Sequence, residues 1–188
     1  LFWNAFLIYH NPHKNLDLVI DSFIYSNISS EWKLEIYGIR DDENYYYKLK
    51  KKIHNYSNIF IKDPVFGTEK QKIMKAAWLN ILASKSEVLS LSILESGLFG
   101  LPSLINENIE IKKGLEKTII FTTPCVIDIS KKIREISNWT LEKRNLIEKE
   151  VINSAKKATS IKEISIKYNN IYNETDEKQV KFGEVLNK

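Results

Sequence analysis

Short apolar runs alternate along the chain with stretches whose apolar positions recur every three or four residues. Residues 3–9 form a core-strand pattern centred on Phe6-Leu7-Ile8-Tyr9. Asn15 to Tyr25 carries Leu16, Leu18, Val19, Ile20, Phe23 and Ile24 at helical spacing. Lys33-Leu34-Glu35-Ile36-Tyr37 alternates as a strand does, and Gly38 is expected to end it. Asn44 to Tyr56 reads as a charged helix with Tyr47, Leu49 and Ile53 as its inner stripe, and Ile59-Phe60-Ile61 as a short strand. Gly67 to Ala77 is expected to be a helix with Glu69, Lys70 and Lys72 outward and Ile73, Met74 and Ala77 inward. Leu79 to Ala83 is the next buried strand, and Leu91 to Phe99 a helix closed by Gly100. Pro102 to Ile105 is a strand, followed by a polar loop, a weaker helix and a strand at Ile119–Thr122. Strand then helix, repeated every roughly 20–25 residues, means a parallel sheet with right-handed crossovers. From Pro124 the pattern is helical only, over 128–136, 141–158 and 161–172. The expected architecture is one Rossmann-like, doubly wound α/β domain of about six parallel strands with C-terminal helices over 1–175, then a polar tail over 176–188.

Composition removes several function classes. Hydrophobic residues are 43% and charged residues 28% of the 188, an ordinary globular balance. No apolar run reaches the roughly 18 residues of a membrane span. A single Cys excludes a disulfide framework and a cysteine-rich zinc site. His10, His13 and His54 leave little for a histidine metal site, so no metal is expected. The net charge is only +4, and Arg occurs only at 40, 134 and 144. Arg is the usual reader of base edges, so no nucleic-acid partner is expected. No signal peptide is visible, which gives a cytoplasmic expectation. A chain that opens on a core strand is expected to be a piece of something longer.

In an open parallel sheet, ligands bind outside the carboxyl ends of the strands, where the strand order reverses. The junction after the fourth strand, Ser84 to Glu95, places Glu87 and Glu95 seven residues apart, with mostly small or apolar residues between them. Both carboxylates can reach one cleft. Amides from Leu89 to Leu91 would lie at a helix N-terminus, where free N–H groups and the helix dipole attract phosphate. Lys14, after the first strand, adds a cation. Hydroxyl acceptors, phosphate-cradling amides and a Lys together describe a nucleotide-sugar site. On spacing alone, Glu87 reads as an exposed loop acid and Glu95 as a solvated helix acid.

The run Ser84-Lys85-Ser86-Glu87 through Leu91-Ser92-Ile93-Leu94-Glu95-Ser96-Gly97-Leu98-Phe99-Gly100-Leu101-Pro102 resembles the signature of retaining GT-B glycosyltransferases of family 4, the glycosyl transferases group 1 domain. His13-Lys14-Asn15-Leu16, Leu34-Glu35-Ile36-Tyr37-Gly38, Ile59 to Val65 and Ile164 to Tyr172 resemble further segments of that family, in order. The resemblance implies the donor-nucleotide half of a GT-B enzyme. Glu87 would contact donor-sugar hydroxyls as the catalytic-side acid, and Glu95 would accept the ribose hydroxyls. Lys14 would meet the diphosphate, and the amides of Leu89, Ser90 and Leu91 the distal phosphate. Val65 would line the base, and Gly38 would permit close approach near the nucleotide. No cofactor is implied, the nucleotide-diphosphate sugar being substrate. The expected partners are that donor, a separate N-terminal GT-B half and a lipid-linked or membrane-surface acceptor. The expected role lies in surface polysaccharide or glycolipid synthesis.

Two departures stand against the family pattern. Its Gly-Arg pair is replaced by Ile8 and Tyr9, which removes a cation from the diphosphate, with Arg40 or His10 as possible substitutes. Its glycines after the first Glu are Val88 and Ser90. A catalytically weakened nucleotide- or partner-binding module, or another doubly wound enzyme such as an epimerase, is therefore the alternative. Elsewhere, Asp41-Asp42-Glu43 reads as a helix first turn, Lys50-Lys51-Lys52 as a solvated face or an anionic-lipid contact, and Tyr45-Tyr46-Tyr47 as packing or sugar stacking. Cys125 has no nearby base to make it a nucleophile.

Overall fold

The structure is a computed structural model, and it describes residues 3–10, 12–85, 91–109, 111 and 114–160. The strands are β1 (Trp3–His10), β2 (Trp32–Arg40), β3 (Ile59–Lys62), β4 (Ala77–Leu82), β5 (Ser103–Asn106) and β6 (Ile119–Thr122). The helices are α1 (Leu16–Ser26), α2 (Glu43–Ile53), α3 (Gly67–Ala76), α4 (Leu91–Leu98), α5 (Val126–Ser137) and α6 (Leu141–Thr159). All strand pairs are parallel, and the order across the sheet is β3-β2-β1-β4-β5-β6. The expected doubly wound sheet of six strands is present.

Alternation within the strands divides the core between two faces. Leu34 and Ile36 of β2, Ile59 and Ile61 of β3 and Leu79 and Ile81 of β4 pack with Leu16, Val19, Ile20 and Phe23 of α1, Leu49 and Ile53 of α2, and Ile129, Ile133 and Ile136 of α5. On the other face Leu82, Ile93, Ile105 and Ala158 form one cluster, and Tyr37, Met74, Ala77 and Leu101 form another. Both faces of a parallel sheet are covered by helices, so even its alternating strands are buried on both sides. That explains Glu35, a buried carboxylate on β2. Its Oε2 accepts from the Tyr37 hydroxyl at 2.9 Å, and Lys62 of β3 pairs with its other oxygen. Burial first, then the hydrogen bond and charge of Glu35, push the Tyr37 phenol well above its ordinary range.

Several boundaries differ from the expectation. Gly38 does not end its strand; β2 runs on to Arg40, which pairs with His10 of β1 across a register shift. Ala77 belongs to β4, because the chain passes from α3 into the strand without a loop. The inner stripe of α2 is Tyr46, Leu49 and Ile53, spaced by three and four, whereas Tyr47 is 66% exposed. Tyr47 and Leu49 are two apart and cannot share a helix face. Among the described residues, the expected weaker helix before β6 is a single 3-10 turn, Glu116–Thr118, preceded by Gly114 at φ +97°. One turn beside a left-handed glycine is too short to propagate an α-helix. The expected helix over 161–172 and the tail over 176–188 lie outside the described residues.

The acidic triplet does what a helix start does: Asp42 caps α2 by accepting from the Tyr45 amide at 2.9 Å. The Lys triplet is divided. Lys52 turns back to Asp21 at 2.6 Å and Asp17 at 3.4 Å on α1, while Lys50 lies 5.7 Å from the Tyr46 ring. Cys125 caps α5, its sulfur accepting from the Asp128 amide at 3.5 Å and donating to Asp128 Oδ2 at 3.3 Å. Among the described residues no helix is long and apolar enough to cross a membrane.

Candidate functional site

The strand order reverses between β1 and β4: from β1 the chain winds outward to β2 and β3, then crosses to β4 on the other side. The carboxyl ends of β1 and β4 therefore open on a shared crevice. Beyond β1, a 3-10 turn (Pro12–Lys14) leads into α1 through Asn15, whose left-handed φ of 54° turns the chain sharply. Beyond β4, the amide of Lys85 donates to the carbonyl of His13 at 3.1 Å and ties the two junctions together. Lys14 thus lies beside the described residues that follow β4.

Leu91 opens α4 and is exposed. Glu95 follows one turn later. Glu87, Leu89 and Ser90 lie outside the described residues, as does the neighbouring Val88. The side chains of Ile8, Tyr9 and His10 are likewise outside the described ones, although the backbone of all three is in β1. Gly38 is buried in β2, and Val65 packs against the Tyr37, Met74 and Leu101 cluster between β3 and α3. Arg40, one candidate to replace the missing family Arg, pairs with Asp63 at 3.0 Å and lies 4.4 Å over the Tyr46 ring. Its charge is already engaged toward the β3 edge.

Lys70 departs from the expectation. It does not face outward; its Nζ sits 2.7 Å from Oε2 of Glu95, bridging α3 and α4. The signal was present in the sequence: Lys70 stands three and four residues before Ile73 and Met74, on the same helical stripe.

The short segment from Ser96 to Ser103 holds α4 in place. A Cβ on Gly97 would lie 2.9 Å from Cβ of Ala155 and 3.2 Å from Cγ2 of Thr118, so the missing side chain lets α4 approach α6. Gly100 stops α4 at φ +75°, and the carbonyl of Pro102 then accepts from the Asn80 amide at 2.9 Å as β5 begins.

A family model described as "Glycosyl transferases group 1" matches residues 7–154. The chain belongs to the glycosyl transferases group 1 family. The match runs from within β1 to most of α6, so Lys14, Val65 and Glu95 all fall inside this group 1 domain. No curated protein sequence matches the chain significantly. Among solved structures, the catalytic domain of cholesterol-alpha-glucosyltransferase from Helicobacter pylori is similar with a TM-score of 0.62 and 19% identity, over 81% of this chain and 97% of that one. A glycosyltransferase from Rickettsia africae aligns with a TM-score of 0.76 and 14% identity, over 92% of this chain and 48% of that one. Anabaena HepE, solved in complex with UDP and glucose, aligns with a TM-score of 0.73 and 14% identity, again over 92% and 48%. The chain spans about half the length of the latter two. At these identities the likeness establishes the fold, a Rossmann-like unit of the GT-B kind.

Proposed function

We propose that this group 1 chain is the donor-nucleotide half of a retaining GT-B glycosyltransferase of family 4. It would transfer a glycosyl group from a nucleoside diphosphate sugar to an acceptor hydroxyl. The observation that carries the reading is the family match on a sheet whose switch point gathers Lys14 and the start of α4 at one carboxyl edge. Lys14 and the amides of Leu89, Ser90 and Leu91 take the charge that builds on the leaving diphosphate. A helix dipole and a cation serve there without a metal ion. Glu95 accepts the ribose hydroxyls, Glu87 the donor-sugar hydroxyls, and Val65 and Gly38 bound the nucleotide on the β2–β3 side. One solved structure of similar fold holds UDP and glucose, which makes UDP the first nucleotide to titrate.

A separate N-terminal half would supply acceptor contacts and closure over the donor. The acceptor class we favour is a lipid-linked or surface-polysaccharide precursor at the cytoplasmic face of a membrane. Tyr9 in the place of the family's diphosphate-binding Arg supports a second reading, a nucleotide-binding module with weakened turnover.

The two acids separate by ligand. Glu95→Ala weakens nucleotide and nucleotide sugar alike, whereas Glu87→Ala weakens only the nucleotide sugar, each by about 1.5–3 kcal/mol in isothermal titration. Wild-type titration curves for both variants would refute the assignment. Lys14→Ala costs more affinity for the nucleoside diphosphate than for the nucleoside, and the difference shrinks as salt rises. Equal losses for both ligands would make Lys14 a structural residue.

A further inference from the structure

We infer that Lys70 is a positioning residue of the donor site, setting the orientation and charge of Glu95 for ribose binding; this rests on the reading of Glu95 as the ribose acceptor. The ammonium of Lys70 meets Oε2 of Glu95 at 2.7 Å, and the Lys70 side chain is the more enclosed of the two, 24% exposed against 45%. An ion pair partly withdrawn from water is stronger than a solvated one and less screened by salt. Lys70 reaches the site from the first turn and a half of α3, whose start is fixed by Gly67 at φ +55°. Glu95 stands in the second turn of α4. The pair therefore links the helix that follows β3 to the helix that follows β4, across the crevice side of the sheet.

The ion pair has two effects on a ligand. A glutamate side chain free in solvent samples many rotamers, and a pair already made removes that ordering cost from binding. Among the described residues none pairs with Oε1, which can accept a hydroxyl, and Oε2 keeps a second lone pair. The pair also cancels a negative charge beside the place where an anionic diphosphate must sit. A bare carboxylate there would repel the ligand it is meant to hold.

The test is a double-mutant cycle by titration calorimetry on the full chain. The probes are UDP, GDP, ADP and CDP, and the tightest binder to wild type is carried through the variants. Lys70→Gln should raise its Kd about fivefold or more, as loss of a charge-assisted contact that orients the acceptor would. Lys70→Arg, which keeps the cation, should restore binding to within about twofold of wild type. Glu95→Gln should weaken binding, and Lys70→Gln should add nothing in that background, because Lys70 acts through Glu95. Wild-type affinity in Lys70→Gln, with Glu95→Gln still weakened, would overturn the role of Lys70 and leave the ribose acceptor in place. Additive losses would overturn it too, making Lys70 an independent contact. Unaltered binding in Glu95→Gln, or no binding of any of the four probes, would overturn the donor-site reading itself and this inference with it.

Discussion

At the scale of single residues, the position of α4 depends on what Gly97 lacks. Its absent Cβ leaves room for Ala155 and Thr118, both fully buried. Gly97→Val should cost about 1–3 kcal/mol, as overpacking of a close helix contact does. Urea denaturation checks this through a lower midpoint at unchanged slope; an unshifted midpoint would mean that α4 and α6 are not in close packing. Gly97 was legible only as part of a family segment, because its partners are distant in sequence: Thr118 in the turn before β6 and Ala155 on α6. Lys70 was legible in principle, standing on the inward stripe of α3, but a charged residue reads as solvated until a partner is known. Tyr46 and Tyr47 show the same limit: three consecutive tyrosines make the stripe ambiguous by one position, and only packing on the sheet decides it.

At the scale of elements, α1 and α2 are joined on the outer face by a small charge cluster. Asp17 of α1 receives Lys48 at 3.1 Å and Lys52 at 3.4 Å, and Lys52 also meets Asp21 at 2.6 Å. Burial pulls the Asp17 pKa upward, but hydrogen bonds and charge from Lys48 and Lys52 outweigh it and hold the carboxyl below its ordinary 3.8. A carboxyl titrating lower in the native than in the unfolded chain stabilises fully above the unfolded value. That contribution is lost as pH falls through the native one. Asp17→Asn should therefore destabilise by about 0.5–1 kcal/mol at pH 7, the scale of a partly exposed pair. The deficit should shrink as pH falls below the ordinary 3.8 and disappear once the native carboxyl is itself protonated. Chemical denaturation of both proteins from pH 7 downward measures it, and a deficit of constant size as the carboxyl is protonated would assign the loss to packing. The order of strands and helices was readable because period-two and period-3.6 patterns alternate cleanly as far as β5. The end of β2 was not, because the partner that extends it to Arg40 is His10 of a neighbouring strand, a pairing invisible to local pattern. The join of α3 to β4 was missed for a related reason: Ala77 fits a helix stripe and a buried strand equally well.

At the scale of the whole molecule, strand order decides where a ligand sits. Among the described residues, only the carboxyl ends of β1 and β4 combine a reversal of the winding, a lysine and a helix start. A second cleft, of about 120 Å³, lies at the opposite, amino-terminal end, lined by Phe23, Ile24, Asn27, Ile28, Tyr56, Asn58 and Ile59. It carries no charged side chain and falls below the roughly 300–1,000 Å³ of ordinary ligand sites, so a diphosphate has no reason to enter it. A covered sheet with its own core should fold unaided, whereas transfer in a two-domain cleft needs both walls to exclude water and orient the acceptor. The 188-residue chain should accordingly bind a nucleotide sugar weakly and transfer no sugar, and a longer chain with the second half should turn over; robust transfer by the chain alone would point to a complete enzyme of another kind. The most direct measurement is a crystal structure of the chain with UDP, or with whichever nucleoside diphosphate binds it best. The account predicts a diphosphate between Lys14 and the start of α4, with ribose hydroxyls within hydrogen-bonding distance of Glu95. A nucleotide seated in the amino-terminal cleft, or on a surface that touches neither Lys14 nor Glu95, would contradict it.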